Sequence, residues 1–118
     1  MKIHHLYSDK DGVSHFKDIE IDFVNRSSTG GSETSAPVPV KSLIFRKTAP
    51  TLDTDWHPAP RRQYFVNLEG ASQITASDGE VRRIEAGEIV LLEDVSGKGH
   101  LSKAIDKIFK HSLFITLD

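Results

Sequence analysis

Six histidines are the side chains of this 118-residue chain best suited to acid–base or metal chemistry. Imidazole titrates near physiological pH and is a common metal ligand. The chain has no cysteine, so disulfides, thiolate nucleophiles and thiolate-based zinc or iron–sulfur sites are excluded. The surroundings of each histidine therefore decide which of them are candidates for a site.

Four of the histidines stand where nothing nearby in the sequence suggests chemistry. These four are His4, His5, His15 and His111. We expect them to be solvated or hydrogen-bonded side chains. His57 and His100 remain, and the segments around them carry more information.

The segment around His57 reads WHPAPRRQYFVNLEG over residues 56–70. It resembles the first motif of the cupin superfamily, in which a His, a second His two residues later, a Glu, and a Gly seven residues after the Glu follow in order. His57, Gln63 and Gly70 have the corresponding spacing. Ala59 stands at the position of the second histidine, and Gln63 stands at the position of the glutamate.

The segment around His100 reads GEIVLLEDVSGKGH over residues 87–100. It resembles the second cupin motif, in which a glycine opens a strand and a histidine comes three residues after the glycine of a turn. Gly97 and His100 match that spacing, whereas Val95 replaces the usual proline. The two motifs occur in the expected order, with an Asp-Gly turn between them.

The resemblance to cupins implies an all-β fold, a cupin-type double-stranded β-helix or jelly-roll barrel of two antiparallel sheets. It also implies that His57, Gln63 and His100 converge as ligands of a divalent metal ion. Two imidazoles and an amide oxygen could hold such an ion with waters, but the set lacks a carboxylate, so we expect weakened affinity. The alternative is a hydrogen-bonded polar cluster inside a pocket, with no ion. If the protein is an enzyme, His57 or His100 is the candidate catalytic acid or base.

Strand alternation extends this site to residues that could contact a substrate. In a strand that starts at Gln63, residues 63, 65 and 67 share one face. Arg61 has the same phase, and a guanidinium there would suit a carboxylate-bearing ligand, although a solvated position at the rim is the alternative. The candidates for substrate contact are Arg61, Phe65, Asn67, Trp56 and Tyr64; Trp56 and Tyr64 could equally be core or dimer contacts.

The elements that must position these residues are short strands separated by turns. Alternating or β-branched runs predict strands at 18–24, 38–47, 63–68, 72–76, 81–84, 89–93 and 113–117. Asp78-Gly79 between two such runs predicts a tight hairpin. Residues 26–37 are rich in Gly and Ser and predict a flexible loop. Residues 103–111 fit either a short helix or a turn.

Composition limits the cellular partners of this chain. Its length suits a single domain over residues 1–118. A net charge of −2 gives none of the basic field that nucleic acid or an anionic membrane requires. The longest apolar run is four residues (89–92), and the N-terminus lacks a signal-peptide pattern, so we expect a cytoplasmic protein. Apolar strands at 18–24 and 38–46 would be covered in a homodimer.

These observations favour a small-molecule function in the barrel. Because the set of side chains has no carboxylate, non-redox proton transfer is favoured, as in a metal-assisted or histidine acid–base lyase, isomerase or cyclase. One alternative is a ligand-binding or sensing cupin without turnover. A second alternative is a cupin-type oxygenase.

Overall fold

The computed structural model describes residues 1–118 and contains eleven strands and no helix. The strands are β1 (Lys2–Ser8), β2 (Ser14–Glu20), β3 (Asn25–Arg26), β4 (Glu33–Thr34), β5 (Ser42–Thr48), β6 (Gln63–Asn67), β7 (Ser72–Ala76), β8 (Val81–Ile84), β9 (Ile89–Glu93), β10 (His100–Ala104) and β11 (Lys110–Thr116). The predicted all-β class is confirmed. No helix is long and apolar enough to cross a membrane.

The strands form three separate sheets. A six-stranded sheet has the order β2-β1-β9-β6-β11-β5, and a three-stranded sheet has the order β10-β7-β8. Strands β3 and β4 pair with each other alone. In the larger sheet, β1 and β9 are parallel, so the prediction of purely antiparallel sheets was wrong. Whether two strands pair in parallel or antiparallel depends on the path of the chain between them. The alternation of apolar and polar residues carries no information about that path. The sheets do not close into a continuous barrel.

The hydrophobic core lies between the two larger sheets. The six-stranded sheet contributes Leu6, Phe16, Phe65, Val90 and Leu92, and the three-stranded sheet contributes Ile74, Ala76 and Ile84. Burying each of the larger side chains stabilises the fold by about 1.5–3 kcal/mol. These two inward faces also form the walls of the candidate site described below.

The region from residue 63 to residue 84 follows the sequence pattern closely. The burial of β6 alternates along the strand, with residues 63, 65 and 67 buried. Strands β7 and β8 pair across the predicted turn, where Gly79 adopts a φ of 99°. The backbone N–H of Ala76 donates to Glu80 O at 2.9 Å and closes the hairpin. Both local predictions are confirmed because local residues alone determine them.

Other predicted boundaries differ from the structure. Strands β1 and β10 and the short pair β3–β4 were not predicted. The strand expected at 18–24 lies at 14–20, and the one expected at 38–47 begins at Ser42. The ambiguous stretch 103–111 contains no helix: it comprises the end of β10, a turn over residues 105–109 and the start of β11. The segment predicted as a flexible loop contains the exposed β3–β4 hairpin.

Candidate functional site

A cavity of about 130 Å³ lies between the inward faces of the two larger sheets. Its wall combines the two candidate histidines with two arginines and several hydroxyl groups. The lining residues are Arg46, Thr54, His57, Ala59, Pro60, Arg61, Gln63, Phe65, Ser72, Ile74, Leu92, His100, Ser102 and Phe114. The structure thus brings His57, Gln63 and His100 to one cavity from three separate segments of the chain.

His57 and His100 are held together by their own backbones. His57 N donates to His100 O at 3.1 Å, and His100 N donates to His57 O at 2.9 Å. The ring centroids are consequently only 4.6 Å apart. Gly99 makes this approach possible, because a Cβ at that position would lie 2.0 Å from His57 O. Its φ of +76° also favours glycine.

Each imidazole is oriented through its Nδ1 atom. His57 Nδ1 lies 2.9 Å from Asp55 O, and His100 Nδ1 lies 2.5 Å from Asp94 Oδ2. A carbonyl or carboxylate oxygen accepts hydrogen bonds, so both Nδ1 atoms are donors. In a neutral imidazole, Nε2 then carries the lone pair. Neither Nε2 bonds to another protein atom, which leaves both available to a molecule in the cavity.

Asp94 is the buried partner that supports His100. Its side chain is 0% exposed, and its Oδ1 has no hydrogen-bond partner. Asp94 O also accepts a hydrogen bond from Ala59 N at 2.9 Å. The sequence gives no sign of this burial, because a carboxylate just before a glycine turn is typically solvated or caps the turn. A buried carboxylate that faces Nδ1 fixes the tautomer and the orientation of the ring.

Gln63 is 2% exposed and lies inside the cavity wall. Its Oε1 is 3.4 Å from Arg61 Nη1. A guanidinium can only donate, so the carbonyl end of the amide faces Arg61. The amide nitrogen is then left to donate into the cavity.

The donor set fits a resident divalent cation poorly. His57 and His100 would supply their Nε2 atoms, and Gln63 would supply an oxygen that already faces a guanidinium. No three His, Cys, Asp or Glu side chains converge in an arrangement able to hold a metal ion. The cavity wall contains two arginines and no carboxylate, so no ligand on the wall offsets the charge of such an ion. We therefore derive no chemical step through a metal.

The residues predicted to contact substrate divide into two groups. Arg61 and Phe65 line the cavity. Asn67 faces inward but donates from Nδ2 to the carbonyls of residues 70 and 84, so it secures the backbone behind the cavity. Tyr64 lies on the outer face of its sheet, beside apolar surface residues. Trp56 packs against the ammonium of Lys98, 4.2 Å from the ring centroid.

Two cationic residues near the site were not predicted. Arg46 on β5 lies 5.0 Å from the centroid of the Phe114 ring, and burial lowers the pKa of its guanidinium. Lys110 is 3% exposed, and its Nζ donates to Ala71 O at 2.7 Å and to Ser72 Oγ at 2.6 Å. Burial lowers the pKa of Lys110 as well. The sequence around Arg46 and Lys110 indicates solvated surface charges. Only the stacking of the two sheets buries these side chains.

Comparison with models of known protein families gives no match, and comparison with curated proteins gives none. Among solved structures, the chain is similar to the crystal structure of a conserved protein of unknown function from Streptococcus pyogenes, with a TM-score of 0.50 and 20% sequence identity. The match covers 64% of this chain and 63% of that chain. At this level of identity the similarity concerns the fold alone.

Proposed function

We propose that this protein is a small cupin-type domain that binds a small molecule in the cavity between its sheets and transfers protons through His57 and His100. The observation that carries the proposal is the paired imidazoles, with ring centroids 4.6 Å apart. Each has its Nδ1 engaged. Support for the jelly-roll assignment comes from the two motifs in the sequence and from the core packed between two sheets.

The geometry suits a proton transfer that needs both an acid and a base. A neutral imidazole can take a proton at Nε2, and a protonated neighbour can return one to another atom of the same molecule. The two rings differ in what holds them, since His100 Nδ1 faces the Asp94 carboxylate and His57 Nδ1 faces a backbone carbonyl. A pair of imidazoles that takes up and returns protons matches a non-redox lyase, isomerase or cyclase.

The proposal is tested by proton exchange on a simple probe. Pyruvate carries acidic C–H bonds beside a carbonyl and has as many non-hydrogen atoms as benzene, which fills an engineered cavity of about 150 Å³. We expect the protein to accelerate exchange of the pyruvate methyl protons in D₂O, followed by proton NMR. General-base catalysis contributes roughly 10²–10⁴-fold, so His57→Gln and His100→Gln should remove most of the acceleration.

His111→Gln is the matched control, because that side chain is exposed and does not line the cavity. Retention of wild-type exchange by both site variants would contradict the proposal. Binding of pyruvate without any exchange would instead favour a ligand-binding protein without turnover and would likewise remove the catalytic part of the proposal.

A further inference from the structure

The arginines of this chain divide sharply by location. There are six, and the four that lie away from the cavity each have a carboxylate partner. These pairs are Arg26–Glu33, Arg62–Glu93, Arg82–Asp18 and Arg83–Glu85. The remaining two, Arg46 and Arg61, both line the cavity and make no ion pair. Among the arginines, those without a counter-charge are therefore the two at the site.

Arg46 is built into the wall of the cavity. Its strand pairs with β11, where Arg46 lies opposite Ser112, and its guanidinium stacks over the ring of Phe114. Stacking of this kind orients the planar group and leaves its N–H edges free to bind a ligand. Burial also lowers the pKa of this guanidinium because it removes water from around the cation, and no carboxylate forms an ion pair with it. Such an arrangement costs stability unless a ligand compensates for it.

The rest of the wall presents hydrogen-bond donors. Ser72 Oγ accepts from Lys110 Nζ at 2.6 Å, so its own hydroxyl proton is free to be donated. Thr54 Oγ1 accepts a hydrogen bond from Ser102 N at 2.9 Å, so its hydroxyl proton is likewise free to be donated. The amide nitrogen of Gln63 is a further donor, as described above. No Asp or Glu lines the cavity.

We infer that the ligand of this cavity is a small carboxylic acid whose carboxylate is bound by Arg46 and Arg61. The inference deepens the proposed function and rests on it. A guanidinium matches the two oxygens of a carboxylate with two parallel hydrogen bonds. The cavity volume of about 130 Å³ limits the enclosed part of the ligand to roughly the size of a benzene ring. The histidine pair on the same cavity would then act on the carbon skeleton attached to that carboxylate.

The experiment compares pyruvate with its neutral amide, pyruvamide, in titrations followed by calorimetry. We expect pyruvate to bind at least about tenfold more tightly than pyruvamide, because the amide lacks the charge-assisted hydrogen bonds. Arg46→Met and Arg61→Met should each reduce pyruvate affinity by about tenfold or more. Arg83→Met, which removes an arginine paired at the surface, should leave it unchanged.

Thermal unfolding of the ligand-free variants separates a binding role from a structural one. Because Arg46 is a partly buried cation without an ion pair, and because methionine can still pack against Phe114, Arg46→Met should unfold at the same temperature as the wild type or a higher one. If Arg46 instead had a structural role, the unfolding temperature of Arg46→Met would be lower than that of the wild type. Loss of affinity together with undiminished stability supports the inference.

Three results would overturn the inference. One is equal affinity for pyruvate and pyruvamide, and another is unchanged affinity in both arginine variants. The third is tighter binding of inorganic phosphate than of pyruvate, which would assign the arginines to a different oxyanion. If pyruvamide also exchanges its methyl protons as fast as pyruvate, the proposed acid–base function stands while the carboxylate assignment fails.

Discussion

Replacing Gly99 by alanine tests whether the close approach of His57 and His100 depends on a missing side chain. Gly99 has a φ of +76°, and a Cβ there would lie 2.0 Å from His57 O and 2.3 Å from Pro58 N. No rotation of a side chain can relieve this overlap, because both neighbours are backbone atoms. The segment that carries His57 must therefore move away from β10.

The cost of Gly99→Ala follows from two terms. Placing alanine in the left-handed region costs about 1–2 kcal/mol. Separating the segments breaks the two backbone hydrogen bonds between His57 and His100, each contributing about 1 kcal/mol. We therefore expect the free energy of unfolding to fall by about 3–4 kcal/mol.

Gly79→Ala is the matched control for this prediction. Gly79 has a φ of +99° but no neighbouring atom within 4 Å of the added Cβ. The stability of Gly79→Ala should therefore fall only by the cost of placing alanine in the left-handed region. Urea unfolding can be followed through Trp56, the single tryptophan of the chain. The difference between the two variants should be about 2 kcal/mol. If Gly99→Ala is no less stable than Gly79→Ala, the argument from the close approach is refuted.

Three further predictions concern stability and assembly. His100→Ala should lower the free energy of unfolding by about 1–3 kcal/mol, because it leaves the buried carboxylate of Asp94 without its partner. A thermal melt that matches the wild type would contradict this prediction. Hydrogen bonding to Asp9 raises the pKa of His15 above 6.5, and the bond to His15 lowers the pKa of Asp9 below 3.8. The contact therefore stabilises the fold between about pH 4 and pH 6.5, fades as pH rises through the raised value, and fades as pH falls through the lowered one. His15→Gln should accordingly lower the melting temperature more at about pH 5.5 than at about pH 8.5, and an equal loss at both would refute the linkage. Phe45 is 79% exposed on the free edge strand β5, so we expect two copies of the chain to cover this surface in a homodimer. Phe45→Lys should convert the dimer to a monomer of 13.1 kDa, measured by light scattering. A wild-type protein that is already monomeric would overturn this prediction.

Features that depend on nearby residues could be predicted from the sequence. The hairpin at Asp78-Gly79 and the alternation of β6 need only local propensity and period, and the structure contains both. Strand β1 was missed because the polar residues His4 and His5 stand together within it and interrupt the alternation of apolar and polar residues. In the sheet it pairs both with the neighbouring strand β2 and with β9, which lies more than 80 residues away. Only the pairing with β9 depends on residues distant in the sequence.

The candidate site was also only partly predictable from the sequence. The types and spacing of His57 and His100 in the sequence determined which imidazoles to examine. Only the tertiary structure decided what surrounds them, because the cavity forms where two sheets stack and bring distant segments together. Burial of Asp94 and exposure of Arg46 to the cavity depend on that stacking, and the solvation of a charge cannot be read from its immediate neighbours in the chain.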